Sequence, residues 1–298
     1  MTRLPVTKTP KCYVGGAFIR SESGRVFAIN DSAGSFVANI PQCTRKDLRN
    51  AVEAAAKAGP GWAKRTPYNR GQILYRLAEM LESRALEMAE AIALDPATPL
   101  AAAKREVAAT CDRLLYYAGW ADKFEQVLGN TNAVASPHFN FTVCEPMGVV
   151  GVIAGNDAPL LGLISQIAPI IVSGNTVVAH ASEKFPLPAI LLGEILAVSD
   201  LPGGVVNLLT GFRKEMLPTF ATHAHLRAID AVVLNADEKK TLGLGAADSV
   251  KRLKYRDASN ATDADAHAID WTATAEHEGV YAIRDFIEFK TTWHPVGA

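Results

Sequence analysis

Apolar and polar positions change period several times along the chain, and each change marks a different kind of element. The run YVGGAFI, Tyr13 to Ile19, predicts a short hairpin turning at Gly15-Gly16. A second extended stretch runs from Ser35 to Ile40 and ends at Pro41. The period then becomes helical. Thr44 is placed to cap a helix running from Lys46 toward Ala58, and Pro67 opens another with Ile73, Leu74, Leu77, Met80 and Leu81 at helical spacing. A third helix, from about Leu100 to Leu128, sets Val107, Leu114, Leu115 and Ala118 on one side. After it the pattern alternates: Phe139, Phe141 and Val143 point one way, His138, Asn140 and Thr142 the other. Such a strand suits a two-sided ribbon or an edge that pairs with another chain.

The middle of the chain alternates buried-type strands with helices. Val149 to Ala154, Thr176 to Ala179, Val205 to Leu209 and Ala228 to Leu234 are strands. Pro159 to Ser173, Pro186 to Val198 and Lys214 to Thr222 are the intervening helices. Repeated βα units with short turns predict an α/β fold with a doubly wound parallel sheet. Ligands bind such sheets at the carboxyl ends of their strands. From Asp257 to Gly279 the chain is rich in Ala, Asp and Thr, with Trp271 its one aromatic, and is expected to be a linker or a loosely packed surface segment. Ala282 to Trp293 alternates again, with apolar groups on both faces, and predicts a long terminal strand.

Composition narrows the classes. The 298 residues are 49% apolar and 20% charged, with a formal net charge of -1. That is ordinary for a globular protein and offers no electrostatic grip on nucleic acid or anionic lipid. The N-terminus has no apolar run of signal-peptide length. The longest apolar region, Val149 to Val172, is interrupted by Asn156, Asp157, Pro159, Gln166 and Pro169, so no membrane span is expected. Cys12, Cys43, Cys111 and Cys144 are scattered without a CxxC pair, which points to a reducing cytoplasm and away from zinc or disulfides. His223 and His225 lack a third ligand nearby; His267, Glu276, His277 and Glu278 are spread through the linker-like segment, so no metal is expected. The basic run Lys251 to Arg256 is expected to be a solvated face. There is no GxGxxG, P-loop, GxSxG or HExxH motif.

The stretch EPMGVVGVIAGNDAPLLGLISQIAPIIVSGNTVVAHASEKFPLPAILLGEILAVSDLPGGVVNLLTG, Glu145 to Gly211, resembles the NAD-binding part of the aldehyde dehydrogenase superfamily. YVGGAFIRSESGR, the VEAAAKAGPGWAK helix and the terminal FIEFKTTWHPVG resemble the family's opening and its last strand. The resemblance implies a Rossmann-like sheet with N-terminal helices and protruding oligomerisation strands. It implies an NAD-binding-type domain over residues 1–256 with an oligomerisation strand at 133–147. A linker at 257–279 would stand in for the catalytic domain, and a C-terminal oligomerisation strand would occupy 280–298.

The departures from the family bear on chemistry. Neither the GQxC-type turn of the catalytic cysteine nor the ELGGK motif of the general base occurs, so no catalytic residue is assigned. Hemithioacetal formation needs a positioned thiolate. The family's IAPWNYPLL turn, whose Asn donates to the oxyanion, reads IAGNDAPLL here; Asp157 takes the Asn position and Asn156 the Trp position. The KPSE turn, whose Lys and Glu hold the adenosine ribose, reads HASE, with His180 for Lys and Glu183 retained. The FTGS turn, whose Gly lets backbone approach the phosphates, is matched by Ala231-Val232-Val233-Leu234. Asn156, His180 and Glu183 remain as a degenerate cofactor site, and no bound cofactor, NAD included, is expected. The reading is a non-catalytic subunit that associates with a full-length aldehyde dehydrogenase or with itself. An NAD(P)-dependent aldehyde oxidoreductase and a free-standing nucleotide-binding module are the alternatives.

Overall fold

The computed structural model describes residues 8–31, 33–232, 235–256 and 269–297. The chain opens with β1 (Cys12–Val14), β2 (Ala17–Ile19), β3 (Val26–Asn30) and β4 (Phe36–Pro41). Helices α1 (Arg45–Ala63), α2 (Pro67–Ser83), α3 (Ala85–Ile92), α4 (Leu100–Trp120) and α5 (Phe124–Leu128) follow. Strands β5 (Asn130–Asn132) and β6 (His138–Pro146) lead into β7 (Val149–Ile153), α6 (Leu161–Val172), β8 (Thr176–His180), α7 (Leu187–Leu196), β9 (Val206–Leu209), α8 (Arg213–Thr222), β10 (Leu226–Val232), α9 (Ala236–Ala247) and β11 (Arg252–Arg256). The chain then runs through α10 (Thr274–His277), α11 (Val280–Arg284) and β12 (Ile287–Pro295).

The central sheet has strand order β11-β10-β7-β8-β9-β1-β2. From β11 to β9 the pairing is parallel, and the β1–β2 hairpin adds on antiparallel beside β9. Both faces are covered. Val150, Val152, Val177 and Ala179 pack into one apolar cluster with α2, α3, α4, α6 and α7. Val149, Ile153 and Val178 pack into a second with α1, α8 and α9. This period-2 division between two buried faces explains why these strands read as unbroken apolar runs. The chain winds outward from β7 to β9, then crosses back to place β10 on the other side of β7. The order reverses between β7 and β10, the switch point where open sheets of this kind form their crevice.

The local expectations hold where one segment carries its own signal. Thr44 caps α1 in a full capping box with Asp47. The Gly15-Gly16 hairpin forms, with Gly16 at φ +85° and no room for a Cβ, which would stand 2.9 Å from the Gly203 Cα. Elsewhere tertiary packing overrides the pattern. The expected helix to Leu128 breaks after Trp120, and the turn lets Phe124 bury at the start of α5. The expected strand from Ala282 begins only at Ile287, because Ile283 and Phe286 bury from a helical turn that Gly279 launches at φ +134°.

Two readings are corrected outright. Lys251 to Arg256 is not a solvated face: residues 252–256 form β11, whose Arg256 guanidinium grips the fully buried Asp230 carboxylate at 2.7 and 2.8 Å. A carboxylate inside an apolar strand demands such a partner. Residues 257–268 of the expected linker lie outside the described residues. Over 269–279 the segment is packed: Trp271 is 2% exposed, and the buried Arg113 binds Glu278 at 3.0 Å and the carbonyls of Trp271 and His277.

Strands β12, β6 and β5 form a separate antiparallel ribbon, with β6 and β12 in register over nine residues from Ile287↔Pro146 to Pro295↔His138. β6 is the central strand of the three. Its two faces carry exposed apolar groups: Phe139 and Val143 on one, Phe289 and Trp293 on the other. Among the described residues no helix is long and apolar enough to cross a membrane.

Candidate functional site

The three residues expected at the cofactor site lie at the carboxyl edge of the sheet, and each makes a hydrogen bond to the chain itself. Asn156, just past β7, turns its side-chain oxygen to the Ser182 hydroxyl at 2.9 Å and to the Lys184 N–H at 3.2 Å. Glu183 accepts the Arg213 backbone N–H at 2.8 Å. Its carboxylate thereby caps the first turn of α8, where the helix dipole favours it. Asp157 is exposed. Ala231 and Val232 end β10 buried, and Val232 packs so closely on Gly155 that a Cβ there would meet Val232 Cγ1 at 3.0 Å. Residues 233 and 234, the rest of the expected phosphate turn, lie outside the described residues.

The residue that organises this edge is Arg213, which sequence reasoning missed. It is 5% exposed. Its guanidinium donates to the Ala154 carbonyl at the end of β7 at 2.8 Å and to the Val232 carbonyl at the end of β10. The same group pairs in bidentate fashion with Glu238 in the first turn of α9, at 3.0 and 2.7 Å. One side chain therefore bridges the two strands that flank the switch point. The Asn235 side chain caps α9 by accepting the Glu238 N–H at 2.9 Å, and Asp237 and Glu238 place two carboxylates at that helix start. The one available signal was an arginine immediately after the TGF turn that closes β9, but spacing alone does not show how far it reaches.

His180 closes the floor. It ends β8 fully buried, and its Nε2–H donates to the Gly211 carbonyl at 3.0 Å. Burial, helped by the Arg213 charge, pushes its pKa down to about 3, so the ring is neutral. Its Nδ1 has no partner among the described residues. The gap between His180, Ile153, Arg213, Met216 and Phe220 is too small to hold even a water molecule, let alone the ligand of an ordinary small-molecule site. A sign follows for stability. The unfolded histidine titrates near 6.5, the native one near 3, so below about pH 6.5 only the unfolded chain takes up the proton. Stability is unaffected above that pH and falls below it, by up to about 1.4 kcal/mol per pH unit. Denaturant midpoints measured from about pH 7 to 5 are expected to decline less steeply in His180→Gln than in the parent. Parallel declines would refute the assignment.

Cys12 and Cys43 bury against each other, Sγ to Sγ 3.4 Å, with Thr210 beside them; the hydrogen bond to Cys12 and burial push the Cys43 thiol up. Burial raises Cys111 to about 12 within α4 and Cys144 to about 11 on β6. His223 and His225 stack edge to face, and no group of three metal-ligating side chains exists among the described residues. His267 lies outside them. Glu278 is committed to Arg113 and His277 packs on the Trp271 ring.

A doubly wound sheet with its switch point beside β7, an added N-terminal hairpin and a detached three-stranded ribbon define one class of protein, and comparison with known proteins agrees. The Aldehyde dehydrogenase family profile matches residues 18–253. An aldehyde dehydrogenase of Alternaria alternata is 36% identical over 220 residues, 73% of this chain and 44% of its own length. Retinal dehydrogenase 2 of Gallus gallus is 32% identical over 282 residues, 92% of this chain and 54% of its own. The NAD+ complex structure of the Bacillus cereus aldehyde dehydrogenase superposes with a TM-score of 0.78 at 26% identity, over 83% of this chain and 50% of that one. This chain belongs to the aldehyde dehydrogenase family. It spans about half the length of the curated relatives it matches.

Proposed function

We infer that this chain is a non-catalytic member of the aldehyde dehydrogenase family, which acts by assembling through the β5–β6–β12 ribbon with an active full-length aldehyde dehydrogenase or with itself. The observation that carries this reading is Arg213, whose guanidinium spans the switch point and takes up the strand-end carbonyls there. A dinucleotide does not fit these residues. A lysine that would donate to a ribose is replaced by a neutral, buried imidazole, and Glu183 is spent on a backbone amide. Aldehyde oxidation also needs a thiolate, and Cys43, Cys111 and Cys144 are held as thiols by raised pKa values while Cys12 is buried against Cys43. The ribbon supports the assembly half of the reading. Phe289 and Trp293 are 46% and 56% exposed on one face of it and Phe139 is 48% exposed on the other, and exposed aromatics on a sheet mark contact surfaces.

The test has two arms. The purified chain, given NAD+ and a panel of aldehydes, is expected to produce no NADH. Turnover that disappears when one of its own four cysteines becomes serine would end the non-catalytic reading in favour of an oxidoreductase. In the second arm, light scattering on the chain alone, and on the chain co-expressed with a full-length relative, is expected to show an oligomer. Phe139→Glu with Trp293→Glu should dissociate it without lowering the unfolding midpoint. A parent chain that stays monomeric in both preparations, and saturates with NAD+ without turnover, is a nucleotide-binding module instead.

A further inference from the structure

The opposite edge of the sheet, where the strands begin, carries two adjoining hollows that the crevice chemistry does not use. The first, about 380 Å³, is walled by Pro60 and Ala63 of α1 and by Pro146, Met147, Val149 and Thr176. Its lining is largely apolar. The second, about 630 Å³, is bounded by Met147, Arg227, Ser249, Lys251, Arg252 and Glu288. Met147 and Arg227 line both, so the two hollows meet at these side chains.

The second hollow is cationic beyond its own needs. Arg252 is matched by Glu288 at 3.1 Å. Arg227, at the entry to β10, is exposed and makes no ion pair among the described residues. Lys251 is only 8% exposed, and among the described residues its ammonium donates to the Ser249 hydroxyl alone. The charge of Asp248 acts on it, but Lys251 forms no ion pair among the described residues. Burial pushes this ammonium's pKa down, as expected for a cation taken from water without a counter-charge. His223 and His225 face the same edge, and the raised potential around Lys251 lowers the His223 pKa further, after burial and its histidine neighbour. A buried ammonium with one neutral partner is costly unless an anion joins it.

We propose that this edge binds an amphipathic anion, an alkyl carboxylate whose head pairs with Lys251 and Arg227 and whose tail lies in the apolar hollow against Met147, Pro146 and Ala63. The head supplies the missing counter-charge. The tail removes apolar wall from water, which is the favourable part of filling such a hollow. Neither hollow touches Arg213 or His180, so the site is independent of the reading of the crevice.

The probe is sodium decanoate, titrated calorimetrically into the full chain. One saturable site is expected. Decanol, which has a tail without charge, and inorganic phosphate, which has charge without a tail, should each bind at least about tenfold more weakly. Lys251→Met should weaken decanoate by at least about tenfold and raise the unfolding temperature, because it removes an uncompensated buried charge. A residue with a merely structural role would lower that temperature. Arg227→Met changes an exposed side chain, leaves folding intact and should also weaken decanoate. No saturable decanoate binding, equal binding of decanol, or parent-like binding by Arg227→Met would each overturn the proposal.

Discussion

Replacing Arg213 with methionine will cost the fold about 3–5 kcal/mol, measured by urea or guanidinium unfolding. The guanidinium ties the ends of β7 and β10 to the first turn of α9. Methionine fills a similar volume but leaves two strand-end carbonyls without their donor and Glu238 without its bidentate partner. The loss should be non-additive with Glu238→Gln, with a coupling of about 0.5–3 kcal/mol, because the two changes strike one pair. A loss below about 1 kcal/mol would mean that solvent replaces the guanidinium without difficulty, and the crevice is then open rather than plugged.

Arg113→Met is expected to have an effect of the same size, about 3–5 kcal/mol, from a different part of the molecule. Arg113 is 2% exposed and ties α4 to α6 through the Ser165 hydroxyl, and to the 269–279 segment through Glu278 and two carbonyls. Tyr117 adds a bond from its hydroxyl to the His277 carbonyl at 3.0 Å. With the guanidinium gone, Glu278 is left half-buried without its cation. Amide exchange should quicken selectively from Trp271 to Phe286, while β7 to β9 stay protected. Uniform quickening across the central sheet would show that Arg113 supports the whole domain rather than this segment.

The parts of the fold that were legible in the sequence are those whose cause is local. A strand buried on both faces, such as Val149–Ile153, announces itself as an apolar run, and a capping residue such as Thr44 sits beside the helix it starts. β11 was illegible because three of its five residues are charged and their partners arrive from afar: Arg252 meets Glu288, Lys254 meets Asp285, Arg256 meets Asp230. Asp230 was the available clue, since an acid flanked by Ile229 and Ala231 in a buried strand must find a cation. Trp271 and Glu278 misled for a related reason: a segment poor in apolar residues was anchored by one aromatic and one ion pair. At the crevice, Asn156, His180 and Glu183, singled out by the resemblance, lie at or just beyond the carboxyl ends of β7 and β8. The resemblance gave no indication that Arg213 would take up their neighbourhood, because an arginine's reach is set by rotamers and packing rather than by position in the chain.

The ribbon sets the order in which the molecule comes together. Lys290 and the Glu145 it pairs with are 145 residues apart in sequence, so their strands meet only after a very long loop has closed. Until β12 arrives, β6 has only the three-residue β5 alongside and leaves a nine-residue row of backbone groups open. A nascent chain therefore passes through an interval in which its stickiest edge awaits its own tail, and any other strand that reaches that edge first competes with correct maturation.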